Sequence, residues 1–247
     1  FDSTEHIAQL FDMPTEYMYS RFANPTCDAV EKKIAALEGG VGAMLTSSGQ
    51  SAVLCTVLNL CKAGDSLVAV SAIYGGVINL LSVTLNRLGI ECIWVAPDSS
   101  EEVLRNAIKD NTKLVFGETI ANPALRVLDL ELFAKVAHEK QIPLVVDSTF
   151  ATPILCKPIE WGADIVIHST TKYMDGHAVQ MGGVIVDSGK FDWIASPQFP
   201  DFVTPDESYH GVVYTRDFGA MAFIIKARMQ LMRDFGCYQT PQGAFLL

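Results

Sequence analysis

Seven short apolar runs alternate along the chain with stretches that mix apolar and polar positions. The runs are apolar at nearly every position, which is typical of strands buried on both faces of a parallel sheet. The predicted strands are Gly42–Thr46, Ser66–Val70, Cys92–Val95, Leu114–Gly117, Leu144–Asp147, Ile165–His168 and Val184–Val186. This alternation predicts an α/β domain with a mainly parallel sheet, flanked by helices in right-handed crossovers.

The stretches between the strands have helical periodicity. The predicted helices are Cys27–Leu37, Val77–Leu88, Ser100–Ile108 and Asp129–Lys140. Thr26 is the expected N-cap of the first helix, and Val30, Ile34 and Leu37 are expected on its apolar face. Gly89 is the expected C-cap of the second helix.

The character of the chain changes after Asp187. Residues Phe191–His210 are rich in Pro, Ser and aromatic residues, which predicts a long loop. One long helix is then predicted over Asp217–Phe235.

Composition narrows the class of protein. The 247 residues are 49% hydrophobic, and 18 Lys plus Arg against 28 Asp plus Glu give a net charge of −10. An acidic surface repels phosphate backbones and anionic lipids, so we expect neither nucleic-acid nor membrane partners. The first residues have neither the basic segment nor the apolar core of a signal peptide. Six scattered cysteines in mostly apolar segments predict reduced thiols in a cytoplasmic protein.

Polar residues follow several of the predicted strands at the point where each strand ends. In an open parallel sheet, ligands bind beyond the carboxyl ends of the strands, so these residues are expected to meet at one rim. They are Ser47 to Gln50 after the first strand, Glu118 and Asn122 after the fourth, Asp147 to Thr149 after the fifth, and Ser169 to Lys172 after the sixth.

Lys172 and Asp147 together predict cofactor chemistry at this rim. A carboxylate keeps a pyridine nitrogen protonated, because an opposite charge favours the charged form. A protonated ring stabilises a carbanion, and a lysine serves such a ring as covalent anchor and proton shuttle. Taken singly, Lys172 is also compatible with a solvated lysine and Asp147 with a turn cap.

Other residues suit a flat, phosphorylated ligand. Ser48, Gly49 and Gln50 open a predicted helix, whose free N–H groups form an anion site. Tyr74 precedes two glycines and is placed either to stack on a ring or to be a half-buried tyrosine at a helix start. Arg21 is either a surface arginine or a bidentate phosphate ligand.

Other classes of chemistry are disfavoured. The five histidines lack metal-ligand spacing, so we expect no metal site. The G-x-S-x-G motif of serine hydrolases and the G-x-G-x-x-G motif of nicotinamide enzymes are both absent from the sequence.

On these residues, the chain resembles the Cys/Met-metabolism family of fold-type I pyridoxal-phosphate enzymes over its whole length. The resemblance rests on seven motifs that occur in order. They are YSRFANPT (19–26), LEGG (37–40), SSGQSA (47–52), YGG (74–76), ETIANP (118–123), VVDSTFATP (145–153) and HSTTKYMDGH (168–177).

The resemblance implies pyridoxal 5'-phosphate as the cofactor and a role for each matched residue. Lys172 is implied to hold the cofactor as a Schiff base, Asp147 to pair with the pyridine nitrogen, and Tyr74 to stack on the ring. Asn122 is implied to contact the ring hydroxyl, whereas the role of Glu118 stays open. The implied phosphate ligands are Gly49, Gln50, Ser169 and Thr171, with Tyr19 and Arg21 contributed by a neighbouring subunit. Ser48, at the same predicted helix start, is expected among the cofactor-binding residues.

The resemblance also implies an organisation. Residues 1–26 would be an arm that reaches the neighbour in a homodimer or homotetramer, and 27–215 the cofactor-binding domain. Residues 216–247 would be a long helix leading toward a C-terminal domain that this chain lacks.

The sulfhydrylase branch of the family matches best. It implies γ-replacement on O-acetyl-L-homoserine with sulfide or a thiol, giving homocysteine or methionine and acetate. A methionine γ-lyase, a cystathionine γ-synthase or lyase, and a non-catalytic fragment stay open as alternatives. Methionine γ-lyases have a cysteine where this chain has Gly76, which counts against that assignment.

Overall fold

A seven-stranded mixed sheet forms the centre of the protein, in a computed structural model that describes residues 2–12 and 17–247. The strands are β1 (Gly42–Thr46), β2 (Ser66–Val70), β3 (Glu91–Val95), β4 (Thr112–Glu118), β5 (Leu144–Asp147), β6 (Ile165–His168) and β7 (Gly183–Asp187). All seven predicted strands are confirmed, with small differences at some ends. Helices flank the sheet, as the α/β prediction requires.

The strand order is β1-β7-β6-β5-β4-β2-β3. β7 runs antiparallel to both of its neighbours, while the other pairs are parallel. β1 therefore points in the same direction as β6, and the carboxyl ends of β1, β2, β4, β5 and β6 lie at one edge. The central strands are almost wholly buried, which explains their continuously apolar sequence.

Helical segments connect and cover the strands. They are α1 (Thr4–Asp12), α2 (Pro25–Glu38), α3 (Gly49–Leu60), α4 (Gly75–Asn79), α5 (Leu85–Arg87), α6 (Glu101–Ala107), α7 (Leu130–Glu139), α8 (Thr152–Leu155), α9 (Tyr214–Phe218), α10 (Ala222–Lys226), α11 (Arg233–Phe235) and α12 (Pro241–Leu246). A π-helical stretch, Leu80–Thr84, joins α4 to α5. The predicted helix over Val77–Leu88 is therefore confirmed as one continuous helical path.

Helix α2 begins earlier than predicted. Its N-cap is Asn24, whose side chain accepts a hydrogen bond from the Thr26 N–H, so the predicted Thr26 cap is wrong. Pro25 follows at the first helical position, where a missing N–H leaves no helical hydrogen bond unmade. The predicted apolar face is also wrong at one position, because Ile34 is buried whereas Leu37 is 43% exposed.

The ends of the other predicted helices are set by their caps. Ser100 and Asp129 are the N-caps of α6 and α7, and each side chain accepts a hydrogen bond from a backbone N–H of the first turn. The C-cap of α5 is Leu88, so the predicted cap at Gly89 is wrong by one residue. Gly89, with φ 81°, follows it and turns the chain toward β3.

The predicted single long helix over Asp217–Phe235 is wrong, and the whole segment 216–247 is not one helix either. Gly219, with φ 53°, breaks the path between α9 and α10, and Gly236, with φ 63°, ends α11. Glycine adopts these positive φ values without steric cost, so both residues act as helix breaks. Beyond Gly236 the chain returns to the sheet, where Tyr238 forms an isolated bridge with Thr46, and α12 follows.

The predicted loop over Phe191–His210 packs onto the core through its aromatic residues. Trp193 stacks on Phe202 with ring centroids 4.4 Å apart, and it also stacks on Phe223 of α10 at 5.6 Å. The loop thereby buries Trp193 and Phe202 against the helical end of the chain. Within the described ranges, no helix is long and apolar enough to cross a membrane.

Candidate active site

A cavity of about 250 Å³ opens at the carboxyl ends of β2, β4, β5 and β6. Its lining contains nine of the eleven residues that the sequence predicted for a cofactor site. Those nine are Ser48, Gly49, Gln50, Tyr74, Asn122, Asp147, Ser169, Thr171 and Lys172. The strand order brings together residues that lie up to 124 positions apart, because parallel strands end at the same edge.

The start of helix α3 forms one wall of the cavity. Ser48 is the N-cap, and its hydroxyl accepts a hydrogen bond from the Ser51 N–H at 3.1 Å. The first N–H groups of any helix lack intrahelical partners, so Gly49 and Gln50 present donors to the cavity. A Cβ at position 49 would lie 2.7 Å from Ser169 Cβ, so glycine is required for this close approach to the end of β6.

A short hydrogen-bond relay fixes Asp147 on the cavity floor. Asp147 Oδ1 accepts from the Thr149 N–H at 2.9 Å and from the Thr149 hydroxyl at 2.5 Å. The same hydroxyl accepts from the Ser169 N–H at 2.8 Å, so it ties the end of β5 to the end of β6. Burial raises the pKa of Asp147, which the hydrogen bonds from Thr149 partly oppose.

Glu118 ties two loops of the cavity together. Its Oε1 accepts from the Tyr74 N–H at 2.7 Å, and its Oε2 accepts from the Asn122 N–H at 3.1 Å. Glu118 pairs in register with Asp147 on the adjacent parallel strand. Burial, together with the neighbouring Asp147 charge, raises the pKa of Glu118 to about 7. One buried carboxylate thus holds the backbone of two predicted cofactor contacts.

Tyr74 projects its half-exposed ring over the start of α4. A Cβ at Gly76 would lie 2.5 Å from Tyr74 Cε1 and 3.0 Å from Gln50 Nε2, whereas a Cβ at Gly75 would meet nothing within 4 Å. The observed ring position therefore requires glycine at 76 but not at 75.

Lys172 lies in the exposed segment that follows β6. Its N–H donates to the Ser169 carbonyl at 3.2 Å, which forms a tight turn and places the residue in the cavity lining. Lys172 Nζ has no hydrogen-bond or ion-pair partner among the described residues. Thr171 lines the cavity too, but its hydroxyl donates to the Gly182 carbonyl at 3.1 Å and accepts from the Gly182 N–H at 3.0 Å.

Tyr19 and Arg21 lie away from this cavity. Arg21 donates a hydrogen bond to the Arg233 carbonyl, and its guanidinium packs 5.2 Å from the Tyr19 ring centroid. Tyr19 lines a larger cavity of about 700 Å³, between the N-terminal segment, α2 and α10. Two charged residues of that larger cavity, Glu31 and Arg228, are joined by a 2.8 Å ion pair.

Two residues in the site had no predicted role. Thr149 and Glu118 both make contacts that position predicted residues, and both line the cavity. Their location just after β5 and at the end of β4 was visible in the sequence. Their hydrogen-bond partners were not, because most of those partners come from other segments of the chain.

The structure is an α/β domain in which a lysine, a buried carboxylate and the start of a helix line one cavity at the edge of the sheet. The sequence profile described as Cys/Met metabolism PLP-dependent enzyme matches residues 1–247. The chain belongs to this family, as the motifs predicted.

Named relatives agree with this placement. The chain is 47% identical to the homocysteine/cysteine synthase of Kluyveromyces lactis over 100% of its own length and 56% of that protein. It is 48% identical to the O-acetyl-L-homoserine sulfhydrylase of Corynebacterium glutamicum, covering 96% of this chain and 55% of the relative. The chain therefore spans a little over half the length of these curated relatives.

A solved structure shares the fold. It is a putative O-acetylhomoserine (thiol)-lyase of Campylobacter jejuni that contains N'-pyridoxyl-lysine-5'-monophosphate. The TM-score is 0.94 at 32% sequence identity, and the match covers 100% of this chain and 61% of that one.

Proposed function

We propose that this chain is the cofactor-binding part of a pyridoxal-phosphate transferase that replaces the γ-substituent of O-acetyl-L-homoserine. The acceptor is sulfide or a thiol, and the products are homocysteine or methionine together with acetate. One observation carries the proposal: Lys172, Asp147, Tyr74 and the start of α3 line a single cavity. The names of the relatives supply the substrate class.

The cavity fits the cofactor that the family uses. Gly49 leaves room at the helix start, where a Cβ would meet Ser169, and a phosphate is the anion that such a start binds best. Lys172 Nζ has no partner among the described residues, and within these ranges both hydrogen bonds accepted by Asp147 go to Oδ1. A lysine nitrogen and a carboxylate oxygen therefore both remain for a ligand.

The proposed roles follow from these positions. Lys172 is the covalent anchor and then the base that moves a proton from the substrate Cα. Asp147 holds the proton on the pyridine nitrogen, because its charge favours the protonated form. Tyr74 would stack on the ring, and Asn122 would contact the ring hydroxyl. Pyridoxal phosphate, when bound, supplies the electron sink that stabilises charge at Cα.

Phosphate binding is assigned to the residues at the two strand ends beside α3. These are Ser48, Gly49, Gln50, Ser169 and Thr171. The hydroxyl proton of Thr171 is already donated to the Gly182 carbonyl. We therefore expect Thr171 to contribute less to phosphate binding than the other four residues. Ser169 uses its N–H toward Thr149, which leaves its hydroxyl for the phosphate.

We further propose that residues 1–26 form an arm that reaches a neighbouring subunit of a homodimer or homotetramer. Tyr19 and Arg21 would there complete the partner's phosphate site. Their separation from the cavity of their own chain supports this. Residues 27–215 would form the cofactor-binding domain, and 216–247 would lead toward a further domain. The six free cysteines favour a reducing compartment such as the cytoplasm.

Product analysis tests the proposed activity. The full-length enzyme is incubated with O-acetyl-L-homoserine, with and without sulfide. Homocysteine and acetate that form only with sulfide are the expected result. A 2-oxo acid and ammonia, formed equally without sulfide, would assign the protein to the lyases, and no conversion at all would support a non-catalytic chain.

A further inference from the structure

Two cysteines that are 182 residues apart in sequence meet beside the start of helix α3. Cys55 lies within α3 and is 1% exposed, whereas Cys237 follows the turn at Gly236 and is partly exposed. Their sulfur atoms are 2.9 Å apart. The two side chains already point at each other, so a bond between the sulfurs requires no large movement of either backbone segment.

The segment that carries Cys237 also contacts the strand end that precedes the candidate anion site. The Ser47 N–H donates to the Cys237 carbonyl at 2.9 Å. Tyr238 forms a bridge with Thr46, the last residue of β1. A link between Cys55 and Cys237 would therefore fasten this segment to the helix whose first residues, Gly49 and Gln50, line the cavity.

Among the six described cysteines, Cys55 and Cys237 differ from the other four in what shifts the pKa of the thiol. The contact with the Cys55 sulfur holds the pKa of Cys237 below its ordinary value. The same contact, followed by burial, raises the pKa of Cys55. Burial is the main cause that raises the pKa of the other four thiols, Cys27, Cys61, Cys92 and Cys156. Cys237 is the partly exposed member of the pair, so it is the thiol that a dissolved reagent reaches first.

We propose that Cys55 and Cys237 form a reversible disulfide site that responds to low-molecular-weight disulfides. The Cys237 thiolate attacks one sulfur of the reagent, the reagent's sulfur–sulfur bond breaks, and one thiolate leaves. Cys55 then loses its proton to the departing thiolate and attacks the Cys237 sulfur, which releases the second reagent thiolate. The two protein thiols together lose two electrons and two protons, and the reagent gains them as two thiols. In a reducing compartment, such pairs are transient and redox-sensing.

Thiol mapping of the full-length holoenzyme tests this site, and its readout does not depend on catalytic activity. The protein is treated with glutathione disulfide and then unfolded in denaturant at once, so that buried thiols become accessible. The remaining thiols are alkylated with iodoacetamide, and the peptides are identified by mass spectrometry. We expect Cys55 and Cys237 to lose alkylation together and to form one crosslinked peptide pair, which dithiothreitol reverses. The oxidised protein should also unfold at a higher temperature than the reduced protein, because a crosslink restricts the unfolded chain.

Three variants separate this site from general thiol oxidation. In Cys55→Ser, glutathione should remain on Cys237, because the second thiol is missing. In Cys237→Ser, Cys55 should stay alkylatable. Cys61→Ser is the matched control, a buried cysteine at the end of the same helix, and it should form the crosslink as the wild type does. The proposal is overturned if wild-type Cys237 keeps glutathione while Cys55 stays free, or if Cys237 does not react under conditions that oxidise another cysteine.

Discussion

Asp147 is the residue whose charge matters most to the proposed chemistry. We expect Asp147→Asn to retain bound cofactor, because the phosphate contacts and Lys172 are intact. Its kcat should fall by about 100-fold or more, which is typical when a preorganised charge is lost from an active site. Steady-state kinetics measures kcat, and the visible absorbance of the lysine-bound cofactor measures how much cofactor is retained. An unchanged kcat would remove Asp147 from the proposed mechanism.

Glu118 makes the cofactor-free protein sensitive to pH. Its folded pKa, about 7, is above the ordinary 4.5 of glutamate, so the native state binds more protons than the unfolded state between those values. Stability contributed by the protonated form is present below pH 4.5 and is lost as the pH rises toward 7. Across this pH range the free energy of unfolding falls by about 3 kcal/mol, at roughly 1.36 kcal/mol for each unit by which the pKa is raised.

Urea unfolding of the cofactor-free protein at several pH values measures this effect. Glu118→Gln cannot ionise, so across this pH window its unfolding free energy should decline less than that of the wild type. Asp187, whose pKa is also raised to about 7, contributes equally to both proteins. Parallel pH dependences for the two proteins would show that Glu118 keeps an ordinary pKa.

At the residue scale, the sequence predicted most of the side chains that line the rim, but not the hydrogen bonds that each of them makes. Lys172 and Asp147 could be identified because each follows or ends a buried strand. The hydrogen bonds of Glu118 to Tyr74 and of Thr171 to Gly182 could not, because they depend on how separate loops meet in space.

At the element scale, the start of α4 depends on one of two adjacent glycines. A Cβ added at Gly76 would displace the Tyr74 ring, whereas one added at Gly75 would meet open space. Overpacking of this kind costs about 1–3 kcal/mol. We expect Gly76→Ala to weaken cofactor binding by about 10-fold, equivalent to roughly 1.4 kcal/mol.

Gly75→Ala is the matched control for this prediction. It adds the same methyl group one residue earlier and should bind the cofactor as the wild type does. Fluorescence titration of the two cofactor-free variants with pyridoxal phosphate measures both affinities. Equal weakening in the two variants would mean that helix flexibility, and not contact with Tyr74, explains the loss.

The strands were predicted closely and the C-terminal helix was not, for a physical reason. A strand buried on both faces, such as β5, is apolar almost throughout, and this pattern is independent of its neighbours. The break at Gly219 and the return of the chain after Gly236 depend on backbone conformations that glycine permits but does not impose. Apolar periodicity therefore extended the predicted helix across the break at Gly219.

At the scale of the whole molecule, the proposed shared site makes the subunits depend on each other. Arg21→Ala should weaken cofactor binding by about 1.5–3 kcal/mol, the range for a hydrogen bond to a charged group. Arg87→Ala, at an exposed arginine of α5, is the control and should bind normally.

Subunit mixing tests the sharing directly. A hybrid dimer of full-length Arg21→Ala and Lys172→Ala subunits has one site with both intact residues. At a cofactor concentration that leaves the Arg21→Ala protein largely unloaded, mixing should therefore raise activity above that of either variant alone. Exchange is verified independently by mass spectrometry of differently tagged subunits. Verified hybrids that show no such increase would place the action of Arg21 within its own chain.

Borohydride reduction followed by peptide mapping tests the central claim, that Lys172 anchors the cofactor, most directly. Reduction fixes the cofactor to the lysine that holds it. We predict the phosphopyridoxyl group on Lys172, in the peptide that contains HSTTKYMDGH, and its loss in Lys172→Ala. A group fixed on Lys62, Lys157 or Lys226 instead, or retained after the substitution, would contradict the account.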